Sequence, residues 1–231
     1  MKLRLIAVLS ALIAIPAAHA QDTASEKGKL SYAVGYEVGR DLNQRKLDLD
    51  IATVVKALQE GFAQREPTVS PEDMAQALKQ MQEKALAEAR VEFERVSNEN
   101  KARSDRFLAE NRSKTGVQVL SSGVQYRVIE NGNGAQPTAN SEVQIHFRGS
   151  LTTGQEFAST YAAQGGQEPT PMSLVVKDAP IAGLQEVLPM MKAGSRWEIF
   201  LPPDKAYGNT PRSPIGPNQA VVFDVRLVAV K

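Results

Sequence analysis

The segment Val143-Gln-Ile-His-Phe-Arg148 puts Val143, Ile145 and Phe147 on one side of an extended chain and Gln144, His146 and Arg148 on the other. That period of two marks a β-strand with one buried face. Working outward, residues 125–129 and 172–176 read as further short strands, Trp197, Ile199 and Leu201 alternate again, and residues 221–230 form a last strand. Asn131-Gly132 and Thr153-Gly154 supply turns, as do residues 192–194, and residues 181–188 read as one brief helix. His146 falls between two inward residues and is expected to face outward, as a surface histidine rather than a catalytic one. Strands around a single short helix make a compact α+β domain over residues 116–231, a usual size for an independent unit.

Upstream of Gly116 the period changes to that of a helix, giving the chain two halves. Leu30, Val34, Val38 and Leu42 lie along one amphipathic helix; Ile51, Val54, Val55, Leu58 and Phe62 lie along a second, with Asp50 at its N-cap. Ser70, Pro71, Glu72 and Asp73 are a cap, a first-turn proline and acids suited to a helix N-terminus. No Gly or Pro follows until Gly116, so this third helix is expected to run for roughly 40 residues, about 60 Å. Its apolar stripe runs through Met74, Leu78, Met81, Ala85, Phe93 and Val96, with Met74 and Met81 read as ordinary core. Residues 97–106 are polar on every side, the pattern of a solvent-bridging stalk. Gly35 and Gly39, flanked by Tyr32 and Tyr36, have a spacing whose packing argument belongs to membranes and carries little weight in a soluble helix. Three thin helices cannot bury these stripes alone, so residues 26–96 are expected to intertwine in a homodimer that holds two C-terminal domains apart. The expected organisation is therefore 21–70 helical dimerisation domain, 71–115 long connecting helix and 116–231 β-rich domain.

Met1 to Ala20 place Lys2 and Arg4 ahead of an apolar run, then Pro16 and the small-residue pattern Ala18-His-Ala20. This reads as a signal peptide, residues 1–20, which implies export. No later stretch is apolar enough for a transmembrane segment. The 231 residues contain no cysteine, compatible with an oxidising compartment such as a periplasm, and carry a net charge of +1, which offers no basic face for nucleic acid. Of two histidines one lies in the leader, so any metal or Ser/His/Asp site would rest on His146 alone. No metal and no cofactor are expected.

Within the second half, Ile145-His-Phe-Arg-Gly149, Leu151-Thr-Thr-Gly-Gln-Glu-Phe157, Ile181-Ala-Gly183, Met191-Lys-Ala-Gly-Ser195, Leu201-Pro-Pro-Asp-Lys-Ala-Tyr-Gly208, Ile215-Gly-Pro-Asn218 and Val222-Phe-Asp-Val225 follow in an order that resembles the FKBP-type peptidyl-prolyl cis-trans isomerases. The first half, from Lys29-Leu-Ser-Tyr-Ala-Val-Gly-Tyr36 through Phe107-Leu-Ala-Glu-Asn111, resembles the dimerisation region of the macrophage infectivity potentiator branch. The resemblance implies a bent antiparallel β-sheet wrapped around a short helix, with an apolar pocket between them. It implies an isomerase that assists the folding of proline-containing, exported or unfolded proteins, in the periplasm, with outer-membrane association or secretion left open. By position in the motifs, Tyr207 offers its hydroxyl and Ile181 its backbone N–H to substrate carbonyls. Phe147, Phe157, Leu184, Trp197, Ile215 and Phe223 line or support the proline pocket. For Phe157 and Phe223, plain core and pocket wall stay open, since the two are the same object until a ligand enters.

The chemistry suits a chain poor in ionisable machinery. Rotation about X-Pro faces a barrier of about 18–20 kcal/mol from amide resonance, and no bond is made or broken. A catalyst need only hold the twisted amide better than either planar isomer. The family's usual aspartate after the Phe157 position is Ala158 here, its pocket-floor tryptophan is Leu184, and Pro180 precedes Ile181 where a β-branched residue is usual. Residues 165–171 obscure which of Met172 and Leu174 takes the next wall position. The first two losses each cost ~1–3 kcal/mol of transition-state binding, so attenuated catalysis and weak macrolide binding are expected. The alternative function is a holdase chaperone or protein-binding module with vestigial isomerisation.

Overall fold

The computed structural model describes residues 22–161 and 169–231. The expected leader, 1–20, lies outside them, as does most of the 165–171 stretch. The chain divides into two compact units, the first ending at Ala75 and the second beginning at Gln76.

The first unit contains α1 (Glu26–Gln44), α2 (Ile51–Phe62) and the first turn of α3 (Pro71–Asn111). Each helix starts where the sequence offers an acceptor for otherwise orphaned N–H groups. Ser25 Oγ accepts from Gly28 N–H at 3.0 Å, an Asp50 carboxylate oxygen from Ala52 N–H at 3.1 Å, and Ser70 Oγ from Asp73 N–H at 3.1 Å. No residue of α1 or α2 is buried in the single chain, and Leu30, Val34, Val38, Leu58 and Phe62 all stand exposed. Gly35 and Gly39 meet nothing within 4 Å, so neither serves a close helix approach inside this chain. Met74 and Met81, expected as ordinary core, are 38% and 39% exposed in the isolated chain.

In the second unit, α3 continues to Asn111, completing the 41-residue helix its capping signals announce. Its polar segment is not a solvent-bridging stalk. Ser97, Asn100, Ser104 and Asn111 are all buried, and they bond to groups of the β domain. Asn111 Nδ2 donates to Gln125 Oε1 at 2.9 Å, and Gln125 Nε2 donates to the Leu108 carbonyl at 2.9 Å. Beside them the rings of Phe107 and Phe200 lie 6.1 Å apart. The reason the expectation failed is physical: small polar side chains spaced three and four apart form a hydrogen-bonding stripe, which a search for apolar periodicity does not register.

The β domain contains β1 (Val117–Val119), β2 (Gln125–Glu130), β3 (Glu142–Leu151), β4 (Glu156–Ser159), β5 (Met172–Val175), β6 (Arg196–Leu201) and β7 (Val221–Val230). All described pairings are antiparallel, in the order β1-β2-β6-β7-β3-β4, with β5 also paired to β3. The final strand is therefore central, between β6 and β3, and its alternating buried residues face the core. The short strands β1 and β4 had no periodicity long enough to reveal them. The brief helix α4 (Ala182–Val187) packs on the sheet, followed by a 3-10 turn at Leu188–Met190. Val143, Ile145, Leu184, Val187, Leu188, Met191, Ile199, Leu201, Val225 and Leu227 are buried together, each such side chain contributing roughly 1.5–3 kcal/mol of transfer free energy.

Candidate active site

Phe147 and Gly149 lie on one face of β3, where Phe147 pairs with Val225 of β7 and Gly149 with Phe223. Thr160 fixes the backbone of Phe147: its Oγ1 accepts from Phe147 N–H at 2.8 Å, and its own N–H donates to the Phe147 carbonyl at 3.0 Å. Gly149 has a separate role. A Cβ there would fall 2.9 Å from two ring carbons of Phe157 and 3.0 Å from one of Phe223, so the bare strand is the floor on which both rings rest.

Four predicted residues come together through their rings. Phe147 and Phe223 have centroids 5.9 Å apart; Phe157 meets Phe223 edge-on at 5.9 Å and Tyr207 edge-on at 5.7 Å. Such tilted and T-shaped contacts align the positive edge of one ring with the negative face of the next. Ile215 is half-buried against the core cluster that also contains these rings, and Leu184 lies on α4, 3% exposed. Trp197 joins a different pair: it is inward on β6 and stacks on Tyr126 at 4.6 Å. Tyr126 had no motif to single it out; its signal was only its inward parity on β2.

Ile181 is the N-cap of α4, with extended backbone, and its carbonyl accepts from Leu184 N–H at 2.9 Å. Its side chain is 5% exposed, yet its own N–H has no acceptor among the described residues. The Tyr207 hydroxyl likewise has no hydrogen-bond partner among them, and burial pushes the Tyr207 phenol pKa up. Neither donor therefore has a protein acceptor among the described residues, and both residues belong to the core cluster that also holds the aromatic rings. Lys205, two residues before Tyr207, ties this turn to α4 through Glu186, with Nζ to Oε1 at 2.7 Å. Hydrogen bonding from Lys205 holds the Glu186 carboxyl below the usual glutamate range.

Ala158 pairs with Gly149 across β4 and β3 and contributes only a methyl group at its position. Met172 and Leu174 are both half-buried on the inward side of β5, opposite Ile145 and Val143. His146 lies on the other face of β3, stacked on Tyr161 at 4.8 Å with Nδ1 3.1 Å from Thr160 Oγ1. Among the described residues no group of three or more His, Asp or Glu is placed to hold a metal ion.

Comparison with known proteins accounts for both halves. Residues 27–128 match the domain amino terminal to FKBP-type peptidyl-prolyl isomerase, and residues 133–228 match the FKBP-type peptidyl-prolyl cis-trans isomerase domain. The outer membrane protein MIP of Legionella longbeachae is 36% identical, over 100% of this chain and 99% of that protein. The peptidyl-prolyl cis-trans isomerase Mip of Coxiella burnetii is 34% identical over 90% of this chain and 88% of its own length. The crystal structure of FkpA from Escherichia coli superposes with a TM-score of 0.70 at 27% identity, covering 90% of this chain and 98% of that one. An antiparallel sheet with a short helix, a long preceding helix and identity over the whole length lead to one conclusion: this chain belongs to the FKBP-type peptidyl-prolyl cis-trans isomerases, as a member with the family's amino-terminal domain.

Proposed function

We propose that the chain isomerises X-Pro bonds in exported proteins as they fold, binding the twisted amide over the Phe147, Phe157 and Phe223 rings while Tyr207 and Ile181 hold substrate carbonyls. The observation that carries this reading is a pair of donors without an acceptor among the described residues, the Tyr207 hydroxyl and the Ile181 N–H, in the cluster that also holds the aromatic rings. An apolar wall disfavours the charge-separated planar amide, and fixed donors need no reorganisation as the bond twists. Leu184 and Ile215 complete the apolar lining in this proposal, and Trp197 supports it from behind. The exposed apolar faces of α1 and α2 support assembly with a second copy, since a single chain leaves them in water. The name of the Legionella relative places that protein in the outer membrane; for this chain the leader-like residues 1–20 support export to the periplasm, and no described helix is long and apolar enough to cross a membrane.

The test is the catalysed cis-to-trans rate of a short X-Pro peptide with the protein and its Tyr207→Phe variant. Because the hydroxyl has no partner among the described residues, its removal should leave the melting temperature unchanged. Losing one substrate hydrogen bond worth about 0.5–1.5 kcal/mol should slow the reaction roughly twofold to tenfold. An unchanged rate would remove Tyr207 from the site. Ala158, which offers no carboxylate, favours a second reading, a holdase that grips apolar segments without turning them over. Suppressed aggregation of an unfolded client with no catalysed rate would select it.

A further inference from the structure

The connection from β6 to β7, residues 202–220, carries both Tyr207 and Ile215, yet its only helical piece is the 3-10 turn Pro203–Lys205. Its internal bonds are short-range clips, such as Gly208 N–H to the Pro203 carbonyl at 2.8 Å and Ser213 Oγ to the Gly216 carbonyl at 2.7 Å. One bond closes its base, Asn218 N–H to the Gly208 carbonyl at 3.0 Å, with Asn218 itself in the left-handed region at φ 52°. A segment so connected is expected to be mobile unless something outside it holds it.

Beyond the Lys205–Glu186 pair near its start, what holds it is the buried polar stripe of α3. Ser97 Oγ donates to Asn209 Oδ1 at 2.9 Å and accepts from Asn218 Nδ2 at 2.8 Å. Asn100 Nδ2 donates to the Pro217 carbonyl at 2.8 Å. Ser104 Oγ donates to the Asn218 carbonyl at 2.9 Å and accepts from Ala220 N–H at 2.7 Å. The three side chains are 4%, 2% and 2% exposed, so water does not stand in for any bond that breaks. The bonded residues closely follow Tyr207 on one side and Ile215 on the other.

We infer that Ser97, Asn100 and Ser104 are positioning residues of the isomerase site: from the rigid helix α3 they set the loop that presents Tyr207 and Ile215 to the substrate. The inference rests on the isomerase reading above. It goes beyond simple docking of the helix, which Asn111 also serves through Gln125 on β2, without a bond to residues 209–220. Asn111 therefore supplies the comparison.

The experiment measures kcat/KM on a short X-Pro peptide for the full chain and for Ser97→Ala/Ser104→Ala, Asn100→Ala, Ser104→Thr and Asn111→Ala, each well below its melting temperature. Amide exchange at Asn218 and Ala220 is followed in parallel. The double variant is expected to lose about tenfold in kcat/KM, because small misplacements of reacting groups are costly, with faster exchange at both amides. Ser104→Thr, which keeps the oxygen, should stay within about twofold of the parent, and Asn111→Ala should lose stability without losing rate. An active parent indifferent to the Ser97 and Ser104 changes would overturn the positioning role alone, as would an equal loss in Asn111→Ala at matched stability. A parent with no catalysed rate would overturn the isomerase reading and this inference with it.

Discussion

Substitution of Gly149 by Ala tests the floor of the site. The new methyl group would sit 2.9 Å from Phe157 and 3.0 Å from Phe223, against ordinary contacts of 3.4–4 Å, so each ring must give way by roughly half an ångström. Both neighbours are ring atoms of a packed cluster rather than ends of flexible chains, and overpacking of that kind costs about 1–3 kcal/mol. Exchange of glycine for alanine in a strand recovers roughly 0.5–1 kcal/mol of backbone entropy. The net loss is about 1–2 kcal/mol, read in thermal unfolding as a midpoint lowered by roughly 2–8 °C for a unit of this size. Because Phe157 meets Tyr207 edge-on at 5.7 Å, the displaced ring should also lower the isomerase rate. Gly154→Ala is the internal comparison: its φ of +89° strains an alanine by about 1–2 kcal/mol, yet nothing lies within 4 Å, so stability should fall while the rate holds. If Gly149→Ala left both melting temperature and rate at parental values, the contact of the rings with the strand, and the reasoning built on it, would be refuted.

Leu184→Trp restores a flat indole at a position 3% exposed beside Ile181, and a rise in isomerase rate and in macrolide affinity over the parent is expected by titration calorimetry; nanomolar affinity in the parent would contradict the attenuation argument. Leu58→Glu/Phe62→Glu puts charges on an apolar face of α2 that the single chain leaves exposed, and light scattering should report a monomer with the β domain's circular dichroism intact; a persistent dimer would place the interface elsewhere. The Lys205–Glu186 pair makes a pH-dependent contribution. The Glu186 carboxyl is held low in the folded state, so its stabilisation is whole above the unfolded value of about 4.3 and vanishes as the pH falls through the folded value. With both side chains about 30% exposed, Glu186→Gln should cost under ~1 kcal/mol at pH 7 and nothing at pH 2; an equal cost at both would assign the effect to packing.

How much could be read beforehand follows from the range of the forces involved. The alternation of Val143, Ile145 and Phe147, the cap at Ser70 with Pro71, and the absence of a helix breaker before Gly116 are local signals, and the strand β3 and the 41-residue helix α3 appear where they point. Tyr207, Phe147, Phe157 and Phe223 were legible from their motifs, and their rings meet. Trp197 carried the same kind of expectation, but its stacking on Tyr126 depends on the register of β2 against β6, which pairs Val128 with Trp197 and Tyr126 with Ile199 and which no local spacing encodes.

By itself, the sequence determined the change from helical to strand period, the starts of the first three helices and the order of the motif residues, because each depends on neighbours within a few positions of the chain. Only the tertiary structure decided that β7 is central, that the N–H of Ile181 and the hydroxyl of Tyr207 lack partners among the described residues, and that Ser97, Asn100 and Ser104 bond to residues 209–220 rather than to water. A serine or asparagine reads the same on a solvated helix as on a docked one. Whether it is buried depends on what surface, more than a hundred residues away in the chain, folds against it.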